Sequence, residues 1–408
     1  MNGLDAIYAG LAVVTAPWWA RKLRHGWPER FGKSPPLPPP RVDDAGKPLP
    51  RILIHAVSVG EVHAIRELVP LLTPHVEVIV CATTDTGLAR ARELFANTAH
   101  IIRYPLDFSW AVNRFFDNVR PSVVALVELE LWPNFVRACR HRGIPCGVIN
   151  GRLSERSLKG YKRIHRWISP TFAGLDFTAV QDEDYAKRFR AMGSRDVAIT
   201  GSMKWDAARI RDAVPGADQL AEELGIDRTR PLIVAGSTAE DEESLLNSAC
   251  PPGVQLLCAP RKPEHFDEAA RDLPGCTRRS HRTAKAGDRF LLDTIGELGR
   301  AYALADVVVI GRSFGELYGS DPLEPAALGK PVVAGPAMGD FASIVTALEE
   351  SGGIVRATRA NIGEVLARLM RDTGERTALG ERARGCIRAN QGASRRHADI
   401  LLARIARS

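Results

Sequence analysis

Short apolar runs alternate along the chain with segments of helical spacing, and this alternation begins near Arg51. Such a β-α-β rhythm predicts parallel sheets covered by helices. The runs before residue 206 read RILIHAVSV, HVEVIVCATT, HIIRYP, SVVALVELE, IPCGVIN, FTAVQ and VAITGS. Residues 206–230 are polar and helical, and the rhythm then resumes with PLIVAGS, VQLLCAP, RFLLDT, DVVVIG and KPVVAGP. The pattern therefore predicts two Rossmann-like, doubly wound parallel-sheet α/β domains that face each other across a cleft.

The segments outside these two blocks have a different character. Residues 34–50 contain seven prolines, which favours an extended, unpaired backbone. We therefore predict four parts: an N-terminal helix over 1–33, a Pro-rich linker over 34–50, a first domain over 51–206 and a second domain over 207–408. The second domain ends in an Ala-, Arg- and Leu-rich stretch from about residue 360, whose spacing predicts helices that pack back across the domains.

The N-terminal segment combines an apolar run with a basic flank. Residues 7–20 read IYAGLAVVTAPWWA and are followed at once by Arg21, Lys22, Arg24 and His25. A helix of this length, at about 1.5 Å per residue, falls short of the roughly 30 Å hydrocarbon core of a bilayer. A signal peptide would carry its positive charge before the apolar run. The segment is predicted to lie in, or dip into, the cytoplasmic leaflet. A first helix packed on its own domain is the alternative.

Composition restricts the classes of function. Hydrophobic residues make up 45% of the chain and charged residues 25%, which is typical of a folded globular protein and not of a disordered or fibrous one. The net charge of +7 favours an anionic partner, whether nucleic acid, anionic lipid or a phosphorylated substrate. The seven cysteines include no Cys-x-x-Cys pair, so we expect a reducing compartment and no structural zinc.

Residues that directly follow the predicted strands are the candidates for chemistry, because ligands of open parallel sheets bind beyond the carboxyl ends of the strands. No G-x-G-x-x-G or G-x-x-x-x-G-K-[ST] follows any strand, which argues against dinucleotide redox chemistry and P-loop phosphoryl transfer. In the first domain the candidates are Glu61, Glu128, Glu130 and Lys204. Glu61 has an alternative role as a helix cap. Glu128 and Glu130 follow a buried strand, and placing two carboxylates there costs free energy unless they have a role or pair with a cation such as Arg152.

In the second domain, five motifs with polar or charged residues stand at the ends of consecutive predicted strands. They are Gly236-Ser237-Thr238, Ala259-Pro260-Arg261-Lys262, Thr294–Leu298, Gly311–Phe314 and Asp321–Pro325. Five such motifs at consecutive strand ends favour a nucleotide-sugar site. Asp182-Glu183-Asp184 has the Asp-x-Asp form of metal-dependent sugar transferases, but an acidic helix start explains it equally well. Neither this run nor His55, which lies inside the first strand, is taken as a ligand.

Taken together, these motifs resemble those of the 3-deoxy-D-manno-octulosonic acid (Kdo) transferases, which attach Kdo to lipid A precursors. The matching strings, in the order of the family, are HAVSVGEV, VELELWPN, NGRLSERS, TGSMKWD, GSTAEDEES, APRKPEHF, DTIGEL and DPLEPAALGKPVVAGP. The resemblance implies a GT-B fold, CMP-Kdo as the donor substrate and no metal or other cofactor. It also implies an inverting transfer to a lipid A precursor at the cytoplasmic face of the inner membrane, with no nucleic-acid partner.

The resemblance also implies roles for single residues. Glu61 would be the catalytic base, and Glu130 and Lys204 would stabilise the transition state. Contacts to CMP are implied for Pro260, Arg261, Ile295, Gly296, Glu297, Asp321, Pro322, Leu323 and Glu324.

The sequence departs from the family on the donor side. Ala239 and Lys262 stand where the family commonly has His, and Ser320-Asp321 stands where it has His-Asn. Three alternatives therefore stay open at this stage. They are a GT-B transferase with a different nucleotide sugar, a sugar epimerase of the same fold, and a catalytically inactive binding protein.

Overall fold

The computed structural model describes residues 2–10, 25–281 and 287–405. The chain divides into two compact units, each built on one sheet. The first unit comprises Met1–Ala207 together with Gln391–Ser408, and the second comprises Ala208–Asn390. The two-domain α/β fold predicted from the sequence is therefore present, and the chain leaves the first unit within one residue of the predicted boundary.

Seven parallel strands form the sheet of the first unit, and each predicted apolar run contributes one of them. They are β1 (Arg51–His55), β2 (Glu77–Ala82), β3 (His100–Arg103), β4 (Val123–Val127), β5 (Cys146–Gly151), β6 (Phe177–Val180) and β7 (Val197–Ile199). Their order across the sheet is β3-β2-β1-β4-β5-β6-β7. Because all pairs are parallel, the carboxyl ends share one edge, and Glu61, Glu130 and Lys204 all follow strands at that edge.

Helices connect these strands and cover both faces of the sheet. In the first unit they span residues 3–10, Trp27–Arg30, Val59–Ala64, Leu68–Leu72, Asp85–Phe95, Ser109–Val119, Pro133–His141, Glu155–Arg163, His165–Ala173, Glu183–Met192, the 3-10 turn Trp205–Ala207, and Ala393–Ile405. Successive residues of β1 enter two different cores, because side chains alternate along a strand. Leu53 packs in one core, and Ile52 and Ile54 pack in the other. Both faces are therefore buried, which explains why the strands read as continuous apolar runs.

The last helix, Ala393–Ile405, belongs to the first unit, whereas the sequence analysis assigned all of 207–408 to the second domain. Ala398 and Leu401 are fully buried in the core that contains Ile54. The start of the helix is fixed by Asp206, whose carboxylate accepts a hydrogen bond from Gly392 N at 2.6 Å. This burial and capping hold the helix on the first sheet and correct the predicted assignment.

The N-terminal residues that the structure describes pack on the first unit. Asp5 is buried, and its carboxylate accepts hydrogen bonds from Ser109 N at 2.8 Å and Asn134 Nδ2 at 3.2 Å. Residues 11–24, which hold most of the predicted anchor, lie outside the described residues, so the anchor stays a prediction. Within the described ranges, no helix is long and apolar enough to cross a membrane.

The predicted Pro-rich linker, residues 34–50, lies along the first unit. Arg41 Nε pairs with Glu77 Oε1 at 2.6 Å. An isolated antiparallel bridge joins Val42 to Pro48. The prolines thus do prevent regular structure over most of this segment, but side-chain contacts fix it to the sheet and it is not a free spacer.

The sheet of the second unit is also parallel and seven-stranded, with the order β10-β11-β9-β8-β12-β13-β14. The strands are β8 (Leu232–Thr238), β9 (Gln255–Pro260), β10 (Thr277–Arg278), β11 (Arg289–Leu291), β12 (Val307–Ile310), β13 (Val332–Ala334) and β14 (Ile354–Arg356). Five of them were predicted. The helices are Ala217–Leu224, Glu242–Ala249, Phe266–Asp272, Leu298–Leu304, Leu323–Ala327, Ala342–Glu350, Ile362–Arg371 and Thr373–Asn390, with 3-10 turns at Pro263–His265, Arg279–His281 and Gly339–Phe341.

Candidate functional site

Glu61 lies in the first turn of helix Val59–Ala64, just beyond the carboxyl end of β1. Its carboxylate accepts hydrogen bonds from Val57 N at 2.8 Å and Ser58 Oγ at 3.0 Å, so the residue does cap its own helix. Burial, opposed by these hydrogen bonds but helped by the charges of Glu130 and Glu128, raises the pKa of Glu61 to about 7. A carboxylate with a pKa near neutrality can accept a proton in catalysis, so capping and general-base chemistry are compatible here.

Glu130 lies close to Glu61, since its charge contributes to the raised pKa of Glu61. Strand β4 ends at Val127, and Glu128 adopts a left-handed backbone with φ of 58°. The chain therefore turns before Glu130, so Glu128 and Glu130 do not lie on the same face of a strand. Trp132 Nε1 donates a hydrogen bond to Glu130 Oε2 at 3.0 Å, while burial and the charge of Glu128 raise the pKa of Glu130. The structure thus brings Glu61 and Glu130 together as partly buried carboxylates.

Lys204 reaches the same edge of the sheet by a different route. It follows β7, which lies three strands away from β4, or about 14 Å at the usual strand spacing. The chain turns back at Gly201, which has a φ of 82°, and Met203 N then donates to Asn150 Oδ1 at 3.0 Å, at the end of β5. Across the described parts of the chain Lys204 forms no ion pair, so its ammonium is available to an anionic ligand.

Asn150 and His397 support this segment, and the sequence analysis missed both. Asn150 is fully buried with a left-handed φ of 52°. His397, on the last helix, accepts a hydrogen bond from Asn150 N through Nε2 at 3.3 Å, and the same nitrogen lies 3.2 Å from Thr200 Oγ1. Burial lowers the pKa of His397 to about 3, so the ring is neutral. The sequence offers a weak signal for Asn150, since Asn tolerates a left-handed backbone at a strand end.

A pocket of about 500 Å³ opens at the carboxyl ends of β8, β9 and β12 in the second unit. Its lining includes three cations, Arg261, Lys262 and Arg312, and none of them forms an ion pair within the residues that the structure describes. Of the nine predicted CMP contacts, only Arg261 lines this pocket; Pro260 is the buried last residue of β9. The lining also contains four acidic residues, Glu240, Asp241, Glu242 and Glu316, so the three cations are the part of the pocket that suits a phosphate.

The buried carboxylate of Glu242 holds one loop of this pocket in place. Glu242, in the first turn of its helix, accepts hydrogen bonds from the backbone N of Arg312 at 2.7 Å, Ser313 at 2.9 Å and Phe314 at 3.1 Å. Burial outweighs these hydrogen bonds and raises the pKa of Glu242. Sequence analysis did not single out Glu242, because nothing in the sequence distinguishes this buried glutamate from the exposed Glu240.

The Asp321–Glu324 motif and Arg261 both lie near the buried side chain of Tyr302. Burial and the charges of Glu324 and Asp321 raise the pKa of Tyr302, and Arg261 opposes the shift, which places all three charges close to its hydroxyl. A Cβ at Gly236 would lie 2.0 Å from Tyr302 Oη, so only glycine fits at that point of β8. Pro322 and Leu323, which lie between Asp321 and Glu324 in the chain, are buried. The structure thus clusters five of the predicted donor residues, or six if Pro260 at the end of β9 is included.

The predicted contacts at residues 295–297 form a separate turn. Ile295 is 69% exposed, and Gly296 has a φ of 93°. Glu297 pairs with Arg279 at 3.1 Å and accepts a hydrogen bond from Thr294 Oγ1 at 2.6 Å. The carboxylate of Glu297 is therefore already occupied by protein groups, and the exposed part of the turn is its backbone and Ile295.

The Asp-x-Asp run at 182–184 forms a helix start, as its simpler interpretation predicts. Asp182 accepts a hydrogen bond from Tyr185 N at 2.8 Å and caps helix Glu183–Met192. Within the described ranges, no three His, Cys, Asp or Glu side chains are grouped in a way that could hold a metal ion.

Comparison with known proteins identifies the family. A family model described as 3-deoxy-D-manno-octulosonic-acid transferase (kdotransferase) matches residues 25–207. The 3-deoxy-D-manno-octulosonic acid transferase of Bordetella pertussis is 32% identical, over 96% of this chain and 96% of its own length. The 3-deoxy-D-manno-octulosonic acid transferase of Haemophilus influenzae is 29% identical, over 97% of this chain and 94% of its own length.

Solved structures with little sequence identity share the fold. The UDP-GlcNAc 2-epimerase of Neisseria meningitidis bound to UDP-GlcNAc covers 88% of this chain and all of its own, with a TM-score of 0.56 and 14% identity. Anabaena Alr3699/HepE in complex with UDP covers 87% of this chain and 100% of its own, with a TM-score of 0.58 and 12% identity. The fold is thus of the predicted GT-B type. Because the sequence matches extend over nearly the whole length of both chains, this protein belongs to the 3-deoxy-D-manno-octulosonic acid transferase family and is a glycosyltransferase.

Proposed function

We propose that the protein transfers Kdo from CMP-Kdo to a lipid A precursor, with inversion and without a metal ion, at the cytoplasmic face of the inner membrane. The observation that supports this most strongly is the pair of partly buried carboxylates, Glu61 and Glu130, beyond the ends of β1 and β4. The raised pKa of Glu61, about 7, suits a group that must be ionised before the reaction and protonated after it.

In the proposed reaction Glu61 takes the proton of the acceptor hydroxyl as the oxygen attacks the anomeric carbon of Kdo. Val57 N and Ser58 Oγ orient the carboxylate for this step. The sugar carbon passes through an oxocarbenium-like state, by analogy with glycoside hydrolysis, and a single displacement inverts its configuration. Glu130 stabilises the positive charge of that state. Lys204 balances either the carboxylate of Kdo or the leaving phosphate.

The second unit supplies the donor contacts in this proposal. The bond between the anomeric carbon and the CMP phosphate oxygen breaks, and negative charge collects on the phosphate. Arg261 and Arg312 line the pocket without ion pairs among the described residues, so they can stabilise that charge. Lys262 lines the same pocket and adds a third cation. The 295–297 turn offers backbone groups to the nucleotide.

Mass spectrometry of the reaction product tests the proposal. Purified protein incubated with a lipid A precursor and CMP-Kdo should add the mass of one or more Kdo residues to the lipid. The same incubation with UDP-GlcNAc in place of CMP-Kdo should leave the lipid unchanged. A product formed with UDP-GlcNAc and not with CMP-Kdo would assign the donor pocket to a different nucleotide sugar.

Asp321 gives a sharper test of the donor site, because it stands where the family commonly has a neutral amide. Its Oδ1 accepts a hydrogen bond at 2.9 Å from the backbone N of Leu323, the first residue of helix Leu323–Ala327. Asn can accept the same bond, so Asp321→Asn should change the CMP dissociation constant by less than about fivefold, or roughly 1 kcal/mol. Asp321→Ala should weaken binding more. Calorimetric titration with CMP measures both, and tenfold tighter binding by Asp321→Asn would instead place the carboxylate against the phosphate.

A further inference from the structure

His265 lies in the wall of the donor pocket, the pocket at the ends of β8, β9 and β12, and the sequence analysis gave it no role. It is the last residue of the 3-10 turn Pro263–His265, which follows β9. His265 is 8% exposed, and both of its ring nitrogens face carboxylates. Nε2 lies 3.1 Å from Glu243 Oε2, and Nδ1 lies 3.0 Å from Glu268 Oε2. The ring is therefore held between two acidic side chains at the edge of a ligand pocket.

The two carboxylates favour the charged form of the ring. A neutral imidazole has one N–H and one bare nitrogen, so it donates to one carboxylate and sets a lone pair against the other, whereas the imidazolium donates to both. Glu243 is fully buried, and an ionised carboxylate in such a place requires a paired cation and hydrogen bonds. Burial of His265 opposes its charge, but the hydrogen bonds and charges of Glu243 and Glu268 outweigh burial and raise the pKa of His265.

A closed ring of hydrogen bonds joins His265 to the backbone that carries two cations of the pocket. Glu243 Oε1 accepts a hydrogen bond from Thr238 Oγ1, and Thr238 O accepts one from Arg261 N at 2.9 Å. Lys262 O accepts one from His265 N at 3.1 Å. With the contact between His265 and Glu243, these bonds tie the loop after β9 to the end of β8. The backbone of Arg261 and Lys262 is therefore held by the same carboxylate that pairs with His265.

The charge of the donor pocket depends on the ring proton of His265. Glu243 faces the ring from helix Glu242–Ala249, and Glu268 faces it from helix Phe266–Asp272. Among the described residues, the pocket lining holds four carboxylates and, apart from His265, three cations: Glu240, Asp241, Glu242, Glu316, Arg261, Lys262 and Arg312. As an imidazolium, His265 balances the carboxylates of the lining, and as a neutral ring it leaves them in excess. Because an excess of negative charge repels a phosphate, the ring proton favours phosphate binding.

We propose that His265 is a positioning residue of the donor pocket, which as an imidazolium holds the loop of Arg261 and Lys262 and adds the positive charge that a nucleotide phosphate needs there. Loss of the ring proton weakens donor binding. The proposal rests on the proposed function, because it takes the phosphate of CMP-Kdo as the ligand. It adds a pH dependence that resides in donor binding and has the opposite sign to that of Glu61, which must lose a proton before it can act as a base.

Calorimetric titration of the full chain with CMP, from pH 7 to pH 9, tests the proposal. CMP keeps nearly the same charge over this range, because the second pKa of its phosphate is about 6. The dissociation constant of CMP for the wild type should rise by about fivefold or more as His265 loses its proton. A dissociation constant that stays level or falls over this range overturns the proposal.

Variants of His265 identify the ring proton as the cause. His265→Gln lacks the charge, so it should bind CMP at pH 7 about as weakly as the wild type does at pH 9. His265→Arg keeps a cation throughout and should bind more tightly than the wild type at pH 9. The matched control is His281→Gln, which removes the other histidine of the second unit, an exposed one, and should keep the wild-type profile. Thermal unfolding confirms that the variants are folded, and weak binding by His265→Arg at both pH values would contradict a role for the charge.

The wild-type protein offers a readout that a purely structural role would not move. Because coupling between two ligands is reciprocal, saturating CMP should raise the pH at which His265 titrates, by about 0.7 of a pH unit for a fivefold difference in affinity. The NMR shift of the ring Cε1–H, assigned by its absence from His265→Gln, follows this titration. Glu268→Gln should lower the midpoint, whereas Glu264→Gln, which removes an exposed acid of the same turn, should change it less. A midpoint that CMP leaves in place would reduce His265 to a structural residue.

The same titrations separate this proposal from the proposed function. If CMP does not bind the wild type but UMP binds with the expected pH profile, the donor assignment is wrong and the role of His265 stands. If CMP binds with a level profile, the role of His265 is wrong and the donor assignment stands.

Discussion

Replacing Glu61 by Gln is expected to lower the turnover number by about 100-fold or more and to leave CMP affinity unchanged. Glutamine keeps the size of the side chain and can still accept the hydrogen bond from Val57 N, but it cannot take up the proton of the acceptor hydroxyl. Steady-state kinetics with a lipid A precursor, together with calorimetric titration of CMP, measures both quantities. Wild-type turnover in this variant would reduce Glu61 to a helix cap.

The pH dependence gives a second readout of the same residue. A general base works in its ionised form, so the wild-type rate should rise with pH through the pKa of Glu61, about 7, and this rise should be absent from the residual activity of Glu61→Gln. The sign for stability is opposite. Because the folded pKa lies above the usual 4.5, the folded state favours the protonated form, and the contribution of Glu61 to the free energy of unfolding falls as pH rises from about 4.5 through 7.

Glu242→Ala is expected to lower the free energy of unfolding by about 2–4 kcal/mol, because it leaves the backbone N–H groups of Arg312, Ser313 and Phe314 without their acceptor in a buried place. The same loop carries the Arg312 side chain into the pocket, so CMP binding should weaken as well. Urea denaturation and CMP titration measure the two effects.

Glu240→Ala is the matched control for Glu242→Ala. Glu240 is two residues away and lines the same pocket, but it is exposed. Its removal should change the free energy of unfolding by less than about 0.5 kcal/mol. If the two variants lose equal stability, the contacts of Glu242 to the Arg312–Phe314 backbone are not what holds the loop.

Most strands could be predicted from the sequence because a parallel strand buried on both faces is a continuous apolar run. Strands β10 and β14 could not. Thr277–Arg278 is two residues long and Ile354–Arg356 is three, and both lie at the edges of the sheet, where fewer apolar residues are needed. The location of the last helix was missed for another reason. Its spacing shows that it is amphipathic, but not which of two similar sheets it covers.

Part of the candidate site could be located by the rule that chemistry follows strand ends. This rule identified Glu61, Glu130 and Arg261, which follow the ends of β1, β4 and β9 within a few residues. It could not show that Lys204 is drawn back toward β5, since this depends on Met203 N binding Asn150, 53 residues earlier. Nor could it find Glu242, because a glutamate in the first helical turn has the same local pattern whether it is buried or exposed.

The second unit interrupts the first: the chain leaves after Ala207 and returns at Gln391. Ala398 and Leu401 complete a core whose other residues, such as Ile54, are synthesised far earlier. At roughly 5–20 residues per second, the intervening segment of about 180 residues takes roughly 10–40 seconds to translate. Throughout that time the sheet face that the last helix will cover lies open on the nascent chain. The second unit can thus fold on the ribosome before the last helix completes the core of the first.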